Sequence, residues 1–531
     1  MTDFEGDFMS KVLRSITAAG LATGLALTAS GCGSGGSNNA GGERTLVAET
    51  TFSVRTLDPA YQFEFTGATV NAETYQTLLE FEDGDLTKPG SGLCDYEMSD
   101  DNKEMTLTCE DTGAKFSNGD PVTVDDMVFS LQRTQGAGGE PSFYLDGVTV
   151  EKVDDETIKL TSEEPNAALP YILPNPNLGV VNSKVVKENG GTTDENDDAE
   201  KFINENSQGS GPYYVEKYDD SEIILQANEH YNGPAPEYSR VVFKNVNSST
   251  QVNDIQAGQA QVAYELNSDQ VKTLDDSRVN VETIPSSYSL FIFHNEDESI
   301  GGIAANKDFQ QAVRYAVDYD KVVGLGGEGA KRLAGILPEI YLGAVPESEG
   351  PKRDVAKAKE LLKKSGYNGE AVPFHFSSDQ TVSGVSLSQL AETLQASLSE
   401  VGIKLELKPA PSSTQLDGFR SGKQPMGIGT WGADFPDPSN YHVFMPENTL
   451  GARVNWKWDN VDGDLKSKLD TASKAVGDDE REKAYKDLYS ELSETGPWVP
   501  LVNPITTVVI SKDVKEYVSN ADRSFDFRKA K

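Results

Sequence analysis

Two periods alternate along the hydrophobic pattern of this chain. Residues 45–50 (TLVAET), 213–217, 222–227 and 240–246 are short, β-branched runs that predict strands. Residues 403–408 (IKLELK) alternate apolar and polar, as a half-buried strand does. Residues 281–294 (VETIPSSYSLFIFH) form a longer β-rich run, and residues 498–510 return to strand near the C-terminus. Helical spacing governs residues 68–82 (ATVNAETYQTLLEFE), which lead into an Asp83-Gly84 turn. A helix starts after Pro121, with Thr123 as N-cap and Asp125 and Asp126 in the first turn, where the helix dipole favours negative charge. Residues 250–257 read as a helix ended by Gly258. Residues 307–323 carry Phe309, Val313, Ala316 and Val317 on one stripe. Residues 354–365, 386–401 and 478–494 are further amphipathic helices, and residues 188–205 read as an acidic, solvated loop followed by a short helix. Strands and helices mix throughout, which predicts α/β layers with no short internal repeat.

Length and charge narrow the class. The 531 residues correspond to two to four structural units at about 100–200 residues each. With 20 Tyr, 21 Phe and 4 Trp, the chain has the apolar mass for large cores. Lys and Arg number 47 against 85 Asp and Glu, a net charge of −38. Nucleic-acid phosphates repel such a polyanion, so no nucleic-acid partner is expected.

The N-terminus reads as an address. Lys11 and Arg14 precede a small apolar stretch from Ile16 to Ala29, which ends in LTASGC at Cys32. The ending resembles a bacterial lipobox, and that resemblance implies cleavage before Cys32 and lipid attachment to it. Residues 1–31 are then a signal peptide, with Met9 the better start because residues 1–8 are acidic. Residues 32–43 are the lipidated cysteine and a Gly/Ser/Asn tether with no capacity for a core. The alternative is an uncleaved anchor helix, which the short, Gly- and Thr-containing stretch disfavours. The expected location is the outer face of the cell membrane, at the cell surface or in a periplasm.

Of the three cysteines, Cys94 and Cys109 remain as a pair around a polar, turn-like centre. An exported protein permits a disulfide, and a loop of about 15 residues would contribute roughly 3 kcal/mol in the chain-entropy model. Two reduced thiols are the alternative.

Catalytic chemistry is sparse. Four histidines, His230, His294, His375 and His442, are too dispersed for a local zinc pair, and neither a G-x-S-x-G elbow nor a Walker A sequence occurs. GLGGEG at residues 324–329 fits G-x-G-x-x-G but follows a helix rather than a strand, so it reads as a loop. The acidic run 194–200 lacks calcium-loop order and reads as a solvated face. Asp434 and Asp437 are two carboxylates in one Pro-rich loop, without evidence of the opposed geometry of a glycosidase. No catalytic residue, metal or cofactor is expected.

Binding chemistry is better represented. Residues 429–441 (GTWGADFPDPSNY) set an indole, carboxylates and two more aromatics in one loop. An indole face covers apolar ligand surface and a carboxylate pairs with an ammonium. The competing reading is structural: an Asp that caps turns and a Trp in the core.

These segments together resemble the extracellular solute-binding proteins of family 5, the peptide- and nickel-type receptors of ABC importers. The most specific match is FSNGDPVTVDDMVFSLQR at residues 116–133. LDPA (57–60), GSGPY (209–213), NEHYNGP (228–234), VRYAVD (313–318), AKELLKKSGY (358–367), residues 394–403, the 431–441 loop and PWVPL (497–501) follow in the right order. The resemblance spans about residues 44–525. It implies a two-lobed periplasmic-binding-protein type II fold with an extra subdomain. Lobe I would comprise 44–75, 205–290 and 501–531, the extra subdomain 76–204 and lobe II 291–500. The hinge would lie near Pro285 and Val502, with ligand buried between the lobes on closure. By resemblance to peptide-binding members, Asp434 would pair a peptide α-ammonium beside Trp431, with Gln62, Phe63, Glu64 and Phe65 also at the ligand. Tyr288 and Tyr441 are further ligand-binding candidates, and Arg453 could meet a ligand carboxylate without a motif match. The implied function is non-enzymatic: capture of oligopeptides or dipeptides, or otherwise of a sugar or metal chelate, by a monomer that delivers to an ABC permease. A surface-anchored hydrolase is the remaining alternative.

Overall fold

The computed structural model describes residues 44–531 other than 111, 112 and 462, so the signal, Met9, Cys32 and the tether lie outside the described residues. Three main sheets organise the body. The first has seven strands, in the order Val279–Pro285, Ile505–Ser511, Val262–Ala263, Thr45–Thr50, Arg240–Asn245, Glu222–Ala227, Tyr213–Tyr218. The second has six, in the order Lys331–Arg332, Trp498–Asn503, Tyr288–His294, Met426–Gly432, Ala371–Ser377, Lys404–Ala410. The third is antiparallel and four-stranded, Asp95–Met98, Glu104–Thr108, Thr157–Ser162, Val148–Lys152. The architecture is the two-lobed type II fold, with the four-stranded sheet as the additional layer.

The run LFIF, residues 290–293, is apolar at every position because both faces of its strand are covered. Leu290 and Ile292 point into a core with Phe309, Val313 and Leu394. Phe291 and Phe293 point into the opposite core with Phe444, Trp456 and Trp498. A strand buried on both sides has no polar alternation, and each fully buried side chain of this size contributes about 1.5–3 kcal/mol.

Two continuous β-runs prove to be four strands. The run at 281–294 breaks at Ser286 and Ser287, so Val279–Pro285 lies in the first sheet and Tyr288–His294 in the second. The run at 498–510 breaks at Pro504, which has no N–H to continue a ladder. These are the two crossings between the large sheets. Asn503 laces them together: its Nδ2 donates to Ser286 O (2.8 Å) and to Tyr288 O (2.7 Å).

Two helical expectations change as well. The helix expected at 68–82 spans Phe65–Thr74, and Leu79–Phe81 is a strand paired with Pro89–Ser91, where cross-strand partners override local spacing. The stretch 307–323 is two helices, Lys307–Ala316 and Tyr319–Leu325, because Val317 is non-helical and Asp318 caps the second by accepting from the Lys321 amide.

The segment 116–133 builds structure rather than a site. Thr123 and Asp126 form a reciprocal capping box at the start of helix Val124–Gly136. Arg133, near its end, is buried and gripped on two sides. It donates to Asp58 through Nη1 (2.7 Å) and Nη2 (2.6 Å), and to Asp197 through Nε (2.7 Å) and Nη2 (2.8 Å). The acidic run 194–200 is therefore not wholly a solvated face: the Asp197 carboxylate is fully buried in this ion triad. Cys94 and Cys109 are joined by a disulfide that closes the hairpin of the four-stranded sheet, inside its core.

Candidate functional site

A cavity of about 520 Å³ opens where the two large sheets and the four-stranded layer meet. Its size is that of a small-ligand site. One wall is helix Phe65–Thr74, which presents Phe65, Ala68, Thr69, Ala72 and Glu73 at helical spacing. The facing wall is the end of strand Met426–Gly432, which carries Trp431, and the loop that leaves it, which carries Asp434 and Phe435. The crossing residues Ser286, Ser287 and Tyr288 form the back, and residues 521–525 of the C-terminal tail also border the space.

Aromatic exposure marks the place. Among the described residues six large hydrophobics are exposed, and three of them border this cavity: Phe63 (38%), Phe65 (58%) and Tyr288 (37%). Clustered exposed apolar surface signals a binding region. Tyr288 stands opposite Gly432 in the strand register, and its ring occupies the space a Cβ there would need, at 3.0–3.2 Å.

Asp434 is the chemically distinctive group. Its carboxylate accepts one side-chain hydrogen bond, from Asn440 Nδ2 at 3.3 Å, and faces no Lys or Arg within ion-pair distance among the described residues. Burial pushes its carboxyl up to about 6, against the opposing effect of Asn440. Its main-chain carbonyl reaches across the cavity rim. Tyr144 Oη donates to it (3.2 Å), as does Asn175 Nδ2 (3.0 Å), and Asn175 also donates to Tyr144 Oη (2.9 Å). Phe435 packs edge-on against Tyr144, so the loop is clasped by the four-stranded layer. Trp431 borders the cavity and meets Phe444 edge-to-face, with its indole N–H buried and unpartnered.

The other candidates divide. Glu64 borders the cavity beside Phe63 and Phe65. Gln62 also borders it, but its amide is committed: it donates to Glu64 O and accepts from Asn177 Nδ2 (3.2 Å). Tyr441 does not reach the cavity. It is 0% exposed in the core and donates its hydroxyl to Ser287 O (3.1 Å), so it ties the loop to a crossing. Arg453 does not border the cavity either and lies over the Phe419 ring. Asp437 forms a buried ion pair with Arg481, which removes it from any two-carboxylate arrangement with Asp434. Sequence reasoning missed Glu73, Tyr144, Asn175, Tyr341 and Arg523, all of which border the cavity. They come from segments with no motif of their own, brought in by tertiary packing. Among the described residues no group of three or more His, Cys, Asp or Glu side chains forms a metal-ligand set.

Comparison with known proteins places this arrangement. The chain is similar to the probable D,D-dipeptide-binding periplasmic protein DdpA of Escherichia coli K12, 28% identical over 489 residues, covering 90% of this chain and 91% of that protein. It is also similar to heme-binding protein A of Haemophilus influenzae, 25% identical with 90% of each covered. The fold matches that of the ABC transporter-associated periplasmic binding protein DppA of Helicobacter pylori in complex with the peptide STSA, with a TM-score of 0.74 at 22% identity, over 92% of this chain and 98% of that one. Residues 88–449 match the profile described as bacterial extracellular solute-binding proteins, family 5 middle. With that profile spanning most of its length, the chain belongs to family 5 of the bacterial extracellular solute-binding proteins.

Proposed function

We propose that this protein is the peptide receptor of an ABC importer, and that it binds cargo without transforming it. The observation that carries the reading is Asp434: a carboxylate partly withdrawn from water, without a cationic partner among the described residues, in a cavity edged by exposed aromatics. A buried charge without a partner is costly, and a peptide α-ammonium is the group that would relieve it. The aromatic rings of Phe63, Phe65 and Tyr288 then cover side chains, and Trp431 lines the pocket. Similarity to a probable dipeptide-binding protein and to a fold seen with a bound peptide supports this choice.

In this reading the lobes turn about Ser286–Ser287 and Pro504, with lobe I drawn at 44–75, 205–290 and 501–531, the subdomain at 76–204 and lobe II at 291–500. Ligand stabilises the closed form because only there does it touch both walls. The receptor is exported, held at the outer face of the membrane by lipid on Cys32, and passes cargo as a monomer to permease subunits. Calorimetric titration with di- to pentapeptides, paired with solution scattering, tests the proposal. Binding with compaction and with the peptide recovered intact is the expected result. No peptide binding, or cleavage of the peptide, overturns it.

A further inference from the structure

The charges around the cavity do not balance. Among the described residues four carboxylates border it, Glu64, Glu73, Asp434 and Asp522, against one cation, Arg523. That cation is already committed. Arg523 Nη1 donates to Ala72 O (2.6 Å) and lies 3.6 Å from Glu73 Oε1, while its Nε lies 3.4 Å from Asp522 Oδ2. Two carboxylates thus offset its single charge before any ligand arrives. Glu73 adds to the imbalance: the residue is 1% exposed, its Oε2 has no side-chain hydrogen bond, and only the Phe527 backbone and the shared Arg523 and Arg528 charges favour its ionised form. It projects from the cavity face of helix Phe65–Thr74, opposite the wall that carries Asp434. A carboxylate so enclosed, with its cations shared among other carboxylates, is costly, and a ligand cation would lower that cost.

A zwitterionic peptide fits such a cavity poorly. Its ammonium finds Asp434, but its terminal carboxylate finds no free guanidinium or ammonium among the described lining residues. We propose that the preferred cargo carries at least two positive groups and no exposed carboxylate inside the cavity: a basic peptide, or one whose carboxyl terminus is masked. The first cation sits at Asp434 and the second on the Glu73 and Glu64 side. The inference rests on the peptide-receptor reading for the first placement, and on the charge census for the second. Glu73 is held up to about 7, chiefly by burial and by the nearby Asp526 charge, with Arg523 and Arg528 opposing, so both carboxyls are mostly ionised at pH 8.

The test is calorimetric titration of the full chain at pH 8 with four matched tripeptides: Lys-Ala-Ala amide, Ala-Ala-Ala amide, Ala-Ala-Ala acid and Glu-Ala-Ala acid. Agmatine, a dication that is not a peptide, is the fifth probe. Affinity is expected to fall along the peptide series, by about tenfold or more from first to last. Glu73→Gln should shrink the gap between the two amides, and the half-buried Glu64→Gln gives the same readout if the first variant fails to fold. Tight binding with a flat or reversed order overturns the charge inference and leaves the peptide reading standing. Agmatine binding without any peptide binding supports the charge inference and overturns the peptide reading. No binding by any probe overturns both.

Discussion

Asp434 and Asp437 stand three residues apart in one loop, carry the same side chain and live opposite lives. Asp437 is 1% exposed and saturated. One oxygen accepts from the Ser439 amide (2.9 Å) and hydroxyl (2.6 Å), and the other is ion-paired to Arg481 of helix Asp478–Thr495. Asp434 sits in the cavity wall with one 3.3 Å side-chain hydrogen bond and no cation among the described residues. The contrast separates a carboxylate that holds the loop from one that is held out by it. The structural explanation of the loop, an aspartate that caps a turn, is correct for Asp437; for Asp434 the binding explanation is the proposal.

The comparison breaks most visibly at Asp437. Arg481→Ala strands that carboxylate in the interior and should cost about 3–5 kcal/mol of stability, read by denaturant unfolding. Asp434→Asn is next, and acts on the other property. Peptide affinity should fall by about 2–5 kcal/mol if the ammonium pair is buried, read by calorimetry. Its melting temperature should not fall. The Asp434 carboxyl titrates higher in the fold than in the unfolded chain, so its ionisation opposes folding at neutral pH and Asn removes that burden. Acid sharpens the point: with Asp434 near 6, affinity for an ammonium ligand should weaken about tenfold between pH 8 and pH 5, and the Asn variant should lose that step. Asn175→Ala is the gentlest change. It removes one donor from the Asp434 carbonyl and should cost about 1 kcal/mol of closure, a fewfold loss of affinity with little change in melting temperature.

The sequence made much of the framework legible because its signals there are local. The capping box at Thr123 and Asp126 needs three residues of spacing, and Gly258 ends its helix in the left-handed conformation that glycine accepts. The hinge was half legible. Pro504 is a visible punctuation mark, but nothing in SSYSL announces that the chain changes sheets at Ser286 and Ser287. The site was least legible. Asp434 and Asp437 differ chiefly through Arg481, which lies 44 residues beyond Asp437 and arrives on a separate helix. Tyr441 matched an aromatic-loop pattern but faces the core. Tyr144 and Asn175 belong to a different layer altogether, and their donation to the Asp434 main chain leaves no trace in side-chain identity.

The Arg133 triad bears on how this molecule can be taken apart. Asp58 belongs to the segment after the first strand, whereas Arg133 and Asp197 belong to the four-stranded layer and its helices. Excising that layer to obtain a minimal receptor would leave Asp58, now fully enclosed, as a naked anion at the new surface. Engineers seeking a smaller scaffold should therefore recode position 58 in the same step, because the layer behaves as a keystone and not as a removable ornament.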